Sequence, residues 1–359
     1  MFDLGIISYR FTTTTTVSKT ITIDHTQCGS SDSTNFTVLV SLSDNSLKTT
    51  TNGGSVQNAN GYDIRFYSDS GYTTLLNWET ESYDSTSGKC IFWVKIPTVS
   101  HTTDTVFYMK YGDATVTTFQ GGSIGSAWSS NYQAVWHLSD AATGAINDST
   151  SNGINGVPTS VSTTTGKIGN AAKFTGGTSN VSFPTDMAAF NSVKSLSTSM
   201  WVQVTSFSNF DCFLTKMTPG AYYNDFLVFQ TGGVLYTQVD NGSDGEGYVT
   251  ISSTDFITNK AHVVSTYDGT GTTNADRLKI YVNGVQQTLT IDYTVPSVTA
   301  DETGFNQYMG WYNTINSFDG VLDEVRVNAT TLSPDWITTE YNNQNNPGNI
   351  GSPGFLTIT

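Results

Sequence analysis

Near its C-terminus the chain reads FDGVLDEVRV, Phe318 to Val327, with three acids, Asp319, Asp323 and Glu324, inside a run that otherwise suits a β-strand. Paired carboxylates cleave glycosides, about 5–5.5 Å apart in retaining enzymes and roughly 6.5–9.5 Å apart in inverting ones. A strand rises about 3.3 Å per residue and points neighbours to opposite faces. A regular strand therefore separates Asp323 from Glu324 and holds Asp319 and Asp323 roughly 13 Å apart on one face, too far for either geometry. One face then carries Val321, Asp323, Val325 and Val327, the other Leu322, Glu324 and Arg326. On this reading Glu324 and Arg326 form a surface pair of little energetic weight. Asp323, on an apolar face, must be hydrogen-bonded or metal-bound. A second pair, Glu79 and Glu81 in NWETESYD, stands about 6.6 Å apart and reads as a solvated strand face.

Other residue types add little catalytic chemistry. His137 in VWHLSD alternates with apolar neighbours and reads as structural, while His25, His101 and His262 stand apart from any nucleophile motif. No glycine-rich phosphate loop of the P-loop or dinucleotide type occurs. Cys28, Cys90 and Cys212 make neither a disulfide framework nor a zinc motif, and nothing in their spacing supports a Cys28–Cys90 bond. DNGSDGEG (240–247) lacks the closing Glu of an EF-hand and reads as a solvated hairpin tip. Aromatic rings beside amides can stack on and hydrogen-bond a sugar. Two loops have that make-up: TPGAYYNDF, with Tyr222, Tyr223 and Asn224, and GWYNTINSFDG, with Tyr312, Asn313 and Asn316. Trp311, in the second, is expected in the core. No catalytic set emerges, and a non-enzymatic protein is expected.

The elements that position these residues follow from composition. Only 13% of the 359 residues are charged, 37% are hydrophobic and 12% aromatic, so the chain folds, and its wealth of Thr, Val, Tyr and Phe points to an all-β protein. The formal net charge of −15 argues against nucleic acid as a partner, since phosphate contacts need a basic surface. No apolar run of about 18 residues is present, so membrane insertion is not expected. The opening MFDLGIISYRFTTTTTVSKT lacks the basic start and apolar stretch of a signal peptide, yet the composition suits an exterior protein. A virion protein, made in a host cytoplasm and displayed after lysis, reconciles the two. An extracellular or cell-surface protein that has lost its signal is the alternative.

Along the chain, residues 1–34 read as a Thr-rich N-terminal arm and 35–113 as a first β-sandwich. Within 35–113, strand-like runs such as FTVLVSLS and KCIFWVKIP are separated by turn clusters. Residues 114–133, rich in Gly and Ser, read as a linker, 134–343 as a second β-sandwich and 344–359 as an extended tail. RLKIYVNGVQQTLTI carries an Asn283-Gly284 hairpin signal. TLSPDWITTEYNNQ is one short helix, with Ser333 at the N-cap and Pro334 at its first position.

The order AVWHLSD, NDSTSNGINGV, GKIGNAAKFTGG, SMWVQV, HVVSTYDG, LKIYVNGVQ and FDGVLDEVRVNATTLSPDWITTEYN resembles the laminin-G-like jelly roll of the concanavalin A-like lectin/glucanase superfamily over about 134–343. The pattern YDIRFYSD, LNWETESYD, FWVKIP, YMKYGD resembles an uncharacterised β-domain often found just upstream of such jelly rolls. Glucanases of this superfamily set acids in an E-x-D-x-x-E arrangement, which this chain lacks. The resemblance implies a structural Ca²⁺ near the closing strand, with Asp148, Asn152, Asn155 and Asp323 as oxygen ligands. The alternative for Asp148 is an Asx-turn, and for Asp323 backbone N–H bonds. The resemblance further implies a surface-display protein binding a cell-surface or extracellular polysaccharide. Placed on a phage-type virion as a fibre, tail or decoration component, it would meet other virion proteins and act in several copies or as a homo-oligomer. A purely architectural protein, a secreted adhesin and a polysaccharide-degrading enzyme are the rivals.

Overall fold

The computed structural model describes residues 16–207, 210–217, 226–241, 245–313 and 316–359, and they form two all-β sandwiches. The first has a four-stranded sheet in the order Leu356–Ile358, Val17–Ile23, Thr105–Tyr111, Arg65–Tyr67 and a three-stranded sheet in the order Ser33–Ser43, Lys89–Val99, Asn77–Asp84. Alternation along the two long strands sends Phe36, Val38, Val40 and Leu42, with Cys90, Phe92, Val94 and Ile96, into the domain's own core. Leu39, Ile91 and Trp93 point the other way, yet they too are buried, in a cluster with Trp128, Tyr132, Val135 and Ile168 at the junction with the second domain.

The second sandwich is a jelly roll of two eight-stranded sheets. Its core holds Trp136, Phe174, Leu196, Met200, Phe213, Val228, Val263, Ile280, Met309 and Leu322. One sheet, here called the covered sheet, includes Ala261–Asp268, Ser195–Val204, the closing strand Asp319–Asn328 and Asn170–Thr175. The other, the free sheet, includes Gly245–Thr250, Val234–Val239, Phe226–Thr231, Phe210–Met217 and Asn306–Met309.

The closing strand is not regular. Along one edge it pairs with Ser195–Val204, but the register shifts between Ser199 and Trp201, where the closing strand carries one extra residue. Glu324 takes a left-handed φ of 51° at that point, the mark of a β-bulge. Along the other edge the partner changes: Asn170–Thr175 lies beside 319–322, and Tyr132–Trp136 beside 325–328. The bulge resets the alternation, so Leu322, Val325 and Val327 all face the core while Asp323, Glu324 and Arg326 all face outward. The two faces expected from a regular strand are therefore corrected, since the extra residue rotates everything beyond it by one position. Outward is also not solvent: Glu324 and Arg326 are 1% and 2% exposed, a buried pair and not a surface one.

The helix Pro334–Asn345 forms as expected, with Ser333 Oγ accepting from Trp336 N at 3.1 Å and Pro334 in the first turn. It lies on the outer face of the covered sheet, where Ile337 packs with Val264, Tyr281 and Leu332. Its Asn343 reaches the first domain: Oδ1 accepts from Leu39 N at 2.7 Å and Nδ2 donates to Leu39 O at 3.1 Å. The side-chain amide thereby pairs a buried edge of Ser33–Ser43 as a neighbouring strand would. Asn343→Ala leaves that N–H and C=O unpaired in a dry place. It is expected to cost about 2–3 kcal/mol in urea unfolding; a loss under about 0.5 kcal/mol would mean the helix does not need this clamp.

Three expected segments take other forms. The arm contains the strand Val17–Ile23, whose alternating Ile21 and Ile23 enter the first core. The expected linker packs Ala127, Trp128 and Tyr132 into the domain junction, so it is wedged and not free. The tail ends in the strand Leu356–Ile358, which pairs Ile358 with Ile21 and Leu356 with Ile23. The jelly roll is thus flanked on both sides by pieces of the first domain. Cys28, Cys90 and Cys212 form no disulfide with one another.

Candidate functional site

Two features of the described residues carry polar chemistry: a buried cluster between the domains and an open cleft beside it. The cluster forms where the closing strand changes partner: residues 323 and 324 fall between the stretch paired with Asn170–Thr175 and the stretch paired with Tyr132–Trp136. Asp323 turns one carboxylate oxygen to the amides of Lys167 and Ile168, at 2.6 and 2.9 Å. Glu324 accepts from Arg326 Nη2 at 2.8 Å and meets His137 Nδ1 at 2.7 Å. Arg326 Nη1 donates to Glu340 of the helix at 3.2 Å, and Glu340 meets His262 Nε2 at 3.2 Å.

The first domain closes this cluster from the other side. Glu79 and Glu81 share a face of Asn77–Asp84, and that face is turned to the jelly roll. Glu81 Oε2 lies 3.5 Å from His137 Nδ1 and accepts from Trp93 Nε1 at 2.9 Å. Glu79 accepts from Trp128 Nε1 and Ser149 Oγ, both at 2.7 Å. The indoles also form the walls: Trp93 stacks on His137 at 5.5 Å, and the Arg326 guanidinium lies 4.6 Å from Trp93 and 5.0 Å from Trp128. The reading of Glu79 and Glu81 as a solvated face is corrected, for the Glu81 side chain is only 2% exposed. The signal was CIFWV, 90–94: an unbroken apolar run marks a strand covered on both faces, so its neighbour's outward acids are covered too.

Burial and charge set the protonation. Burial, reinforced by Glu324, raises Glu81 to about 8 and Asp323 well above the usual carboxylate range. Burial works to lower His137, but the Glu324 and Glu81 carboxylates outweigh it and hold its pKa well above the ordinary value. Burial likewise works to raise Glu340, yet Arg326 and His262 bring it down to about 2.

The open cleft has a volume of about 660 Å³ and runs between the domains. The first domain lends Thr34 and Asn35; the jelly roll and helix lend Ser130, Asn131, Asn152, Asn328, Thr330 and Ser333, with the Trp128 and Trp336 indoles among the lining groups. Lys95 is its one charged lining residue among those described, and its ammonium donates to the Ser126 and Trp128 carbonyls.

The residues singled out in the sequence are scattered. Asp148 is buried and accepts from Val135 N, Thr150 N, Thr150 Oγ1 and Ile154 N, between 2.8 and 3.0 Å. Those four donors match a carboxylate's four lone-pair sites, and they brace the loop as the Asx-turn alternative requires. Asn152 Nδ2 donates to the Tyr132 and Gln133 carbonyls, and Asn155 Oδ1 accepts from Asp148 N. Asp323 serves a different loop, so Asp148 and Asp323 have no partner in common. Tyr222, Tyr223 and Asn224 lie outside the described residues, as do the side chains of Tyr312, Asn313 and Asn316, whose backbone belongs to the small hairpin Trp311–Asn313 with Asn316–Ser317. Trp311 is half-buried, edge-on to Tyr308 at 4.6 Å, and not in the core.

Residues 60–148 match a domain of unknown function, and no curated protein matches the chain. Among solved structures, the chain is similar to the binding domain of Paraclostridial Mosquitocidal Protein 1, at 13% identity over 59% of this chain and 52% of that one, with a TM-score of 0.46. It is similar to the binding domain of botulinum neurotoxin serotype G, at 13% identity over 59% and 50%, with a TM-score of 0.44. It is also similar to domain 4 of an extracellular arabinanase from Geobacillus stearothermophilus, solved with arabinotriose, at 20% identity over 58% and 97%, with a TM-score of 0.39. The match spans about half the length of each toxin domain. Residues 174–338 match the family model of the concanavalin A-like lectin/glucanases superfamily, and the second half of the chain is a domain of that superfamily, preceded by the domain of unknown function.

Proposed function

We propose that the protein binds a neutral polysaccharide without cutting it, in the cleft between its two domains. The observation that carries this reading is the cleft's lining: hydroxyls and amides from both domains beside the half-buried Trp336 indole, within the volume range of ligand sites. Sugar hydroxyls pair with such groups, and the apolar face of a sugar ring suits an indole. A glycosidase needs two carboxylates across the bond, and none of the described lining residues is an acid. The reading extends to a display role on the outside of a virion, in several copies, with the first domain toward other virion proteins. The acidic, Ser- and Thr-rich composition supports an exterior position.

The architectural rival draws on a separate feature. Phe210, Phe229, Tyr236 and Tyr248 form a row across the free sheet, with ring centroids 4.6, 4.7 and 5.1 Å apart. Neighbouring rings present their faces to one another, nearly parallel at the first two steps, so the row offers ring edges and no flat platform for a sugar. Such a ridge suits packing against a second protein surface.

The test is a glycan array, with and without chelator, with bound polysaccharides checked for shortening. Ser130→Ala/Asn131→Ala, both exposed on the cleft's rim, is expected to weaken retention about tenfold with an unchanged melting temperature. Binding that the double variant leaves intact would move the site elsewhere, shortening would make the protein an enzyme, and no binding by a multivalent form would favour the architectural role.

A further inference from the structure

The buried cluster has an unbalanced charge inventory. Glu79, Glu81, Asp323, Glu324 and Glu340 face Arg326, His137 and His262. Even with both imidazoles protonated, the three bases balance only three of these five carboxylates, so the others must hold a proton, meet solvent as the 28%-exposed Glu79 side chain can, or meet a further cation. The other nearby cation is occupied elsewhere: Lys167 Nζ donates to Asn345 and lies over the Trp201 ring. Buried charge of this kind requires a compensating cation or proton.

The geometry around His137 suits a cation. One ligand atom from each of Glu81, His137 and Glu324 lies within 4.8 Å of the other two. Two ligands on one first-row metal ion, at bonds of about 2.0–2.2 Å, stand roughly 3.0–3.5 Å apart. The 3.5 Å from His137 Nδ1 to Glu81 Oε2 already fits, and the 2.7 Å to Glu324 Oε1 needs to open by a few tenths. Independently of the acids' number, Glu81 Oε1 is buried with no hydrogen-bond partner, and His137 Nε2 has only the Glu79 carboxylate, 3.6 Å away. Glu81 therefore has a spare oxygen for a second bond to the same ion. Outer groups that would orient the ligands are in place: Trp93 Nε1 on Glu81 Oε2 and Arg326 Nη2 on Glu324 Oε2. A cleft of about 470 Å³, lined by Tyr62, Phe119, Ile124 and Glu79, leads from solvent toward the cluster.

We propose that Glu81, His137 and Glu324 bind one divalent first-row transition ion that clips the first domain to the jelly roll. An imidazole nitrogen with carboxylate oxygens suits Zn²⁺, Mn²⁺, Fe²⁺ or Co²⁺, whereas Ca²⁺ takes oxygen alone. This ion is distinct from the calcium expected at Asp148, and its two sides come from different domains.

The experiment strips the full chain with chelator, then titrates Zn²⁺, and separately Co²⁺, into wild type, Glu81→Gln and His137→Gln. The wild type is expected to take up one ion per chain, to gain roughly 5 °C or more in Tm, and to give a Co²⁺ absorption band. Glu81→Gln, which keeps shape and folds without metal, is expected to lose affinity at least tenfold and to lose the Tm gain. A second group nearer the surface, Asp24, His25 and Asp104, is the control. Binding lost in His25→Gln but kept in Glu81→Gln would overturn the proposal. So would a wild type that binds no Zn²⁺ at micromolar concentration and melts at the same temperature with or without it.

Discussion

Arg326→Met lowers the unfolding free energy by about 3–5 kcal/mol, the scale for removing one partner of a buried ion pair. The guanidinium is 2% exposed and bonds both Glu324 and Glu340. Methionine replaces much of its volume between Trp93 and Trp128 but none of its charge. The cost arises from what stays behind, two carboxylates facing each other across a dry gap. The triple variant Arg326→Met/Glu324→Gln/Glu340→Gln is accordingly expected to recover most of the loss, because the stranded charges go with their partner. Urea titrations of the three proteins decide the matter. A single variant within about 1 kcal/mol of wild type would show that the guanidinium is not needed to neutralise its neighbours.

The second large effect is one of pH. In chelating buffer the protein is expected to lose stability steadily from about pH 5 to about pH 8 and to lose no more from Glu81 above that. Burial raises Glu81 to about 8 in the folded chain, against an ordinary 4.5. Between those values the folded protein holds a proton that the unfolded chain has released, so raising the pH favours unfolding, at up to about 1.4 kcal/mol per pH unit for this one proton. His137, held above its ordinary value by Glu324 and Glu81, pulls in the same direction. Glu340, brought down to about 2, does the reverse. Its contribution is present above pH 4.5 and is lost as the pH falls toward 2. Glu81→Gln needs no proton to be neutral. At pH 8.5 without metal it is expected to exceed wild type by roughly 2–4 kcal/mol, and with Zn²⁺ the order is expected to reverse. Flat profiles for both proteins would mean that Glu81 is ionised throughout.

Much of the architecture was legible in the chain. Alternation, turn residues and the cap at Ser333 are local, and they mark the strands, the helix and the jelly roll. The buried cluster was not legible, for two physical reasons. A single inserted residue reverses the outward and inward roles of everything beyond it, and no local pattern in LDEVRV announces the bulge at Glu324. In addition, Glu81 and His137 meet only because two domains touch, a contact that neither segment encodes alone. The strand in the C-terminal tail had a visible trace, since FLTIT alternates, but so short a run is easily taken for extended chain.

The place of Leu356–Ile358 beside Val17–Ile23 has a consequence for biosynthesis. As the chain leaves the ribosome, its first domain cannot be finished when its own segment has emerged. One edge of the four-stranded sheet stays open until the whole jelly roll has been translated. The jelly roll, whose strands all lie between Tyr132 and Asn328, can close beforehand. The usual vectorial order, N-terminal unit first, is thereby inverted. A nascent chain that stops short of Phe355 would present a finished second domain on an incomplete first, with an exposed strand edge ready to recruit a neighbour.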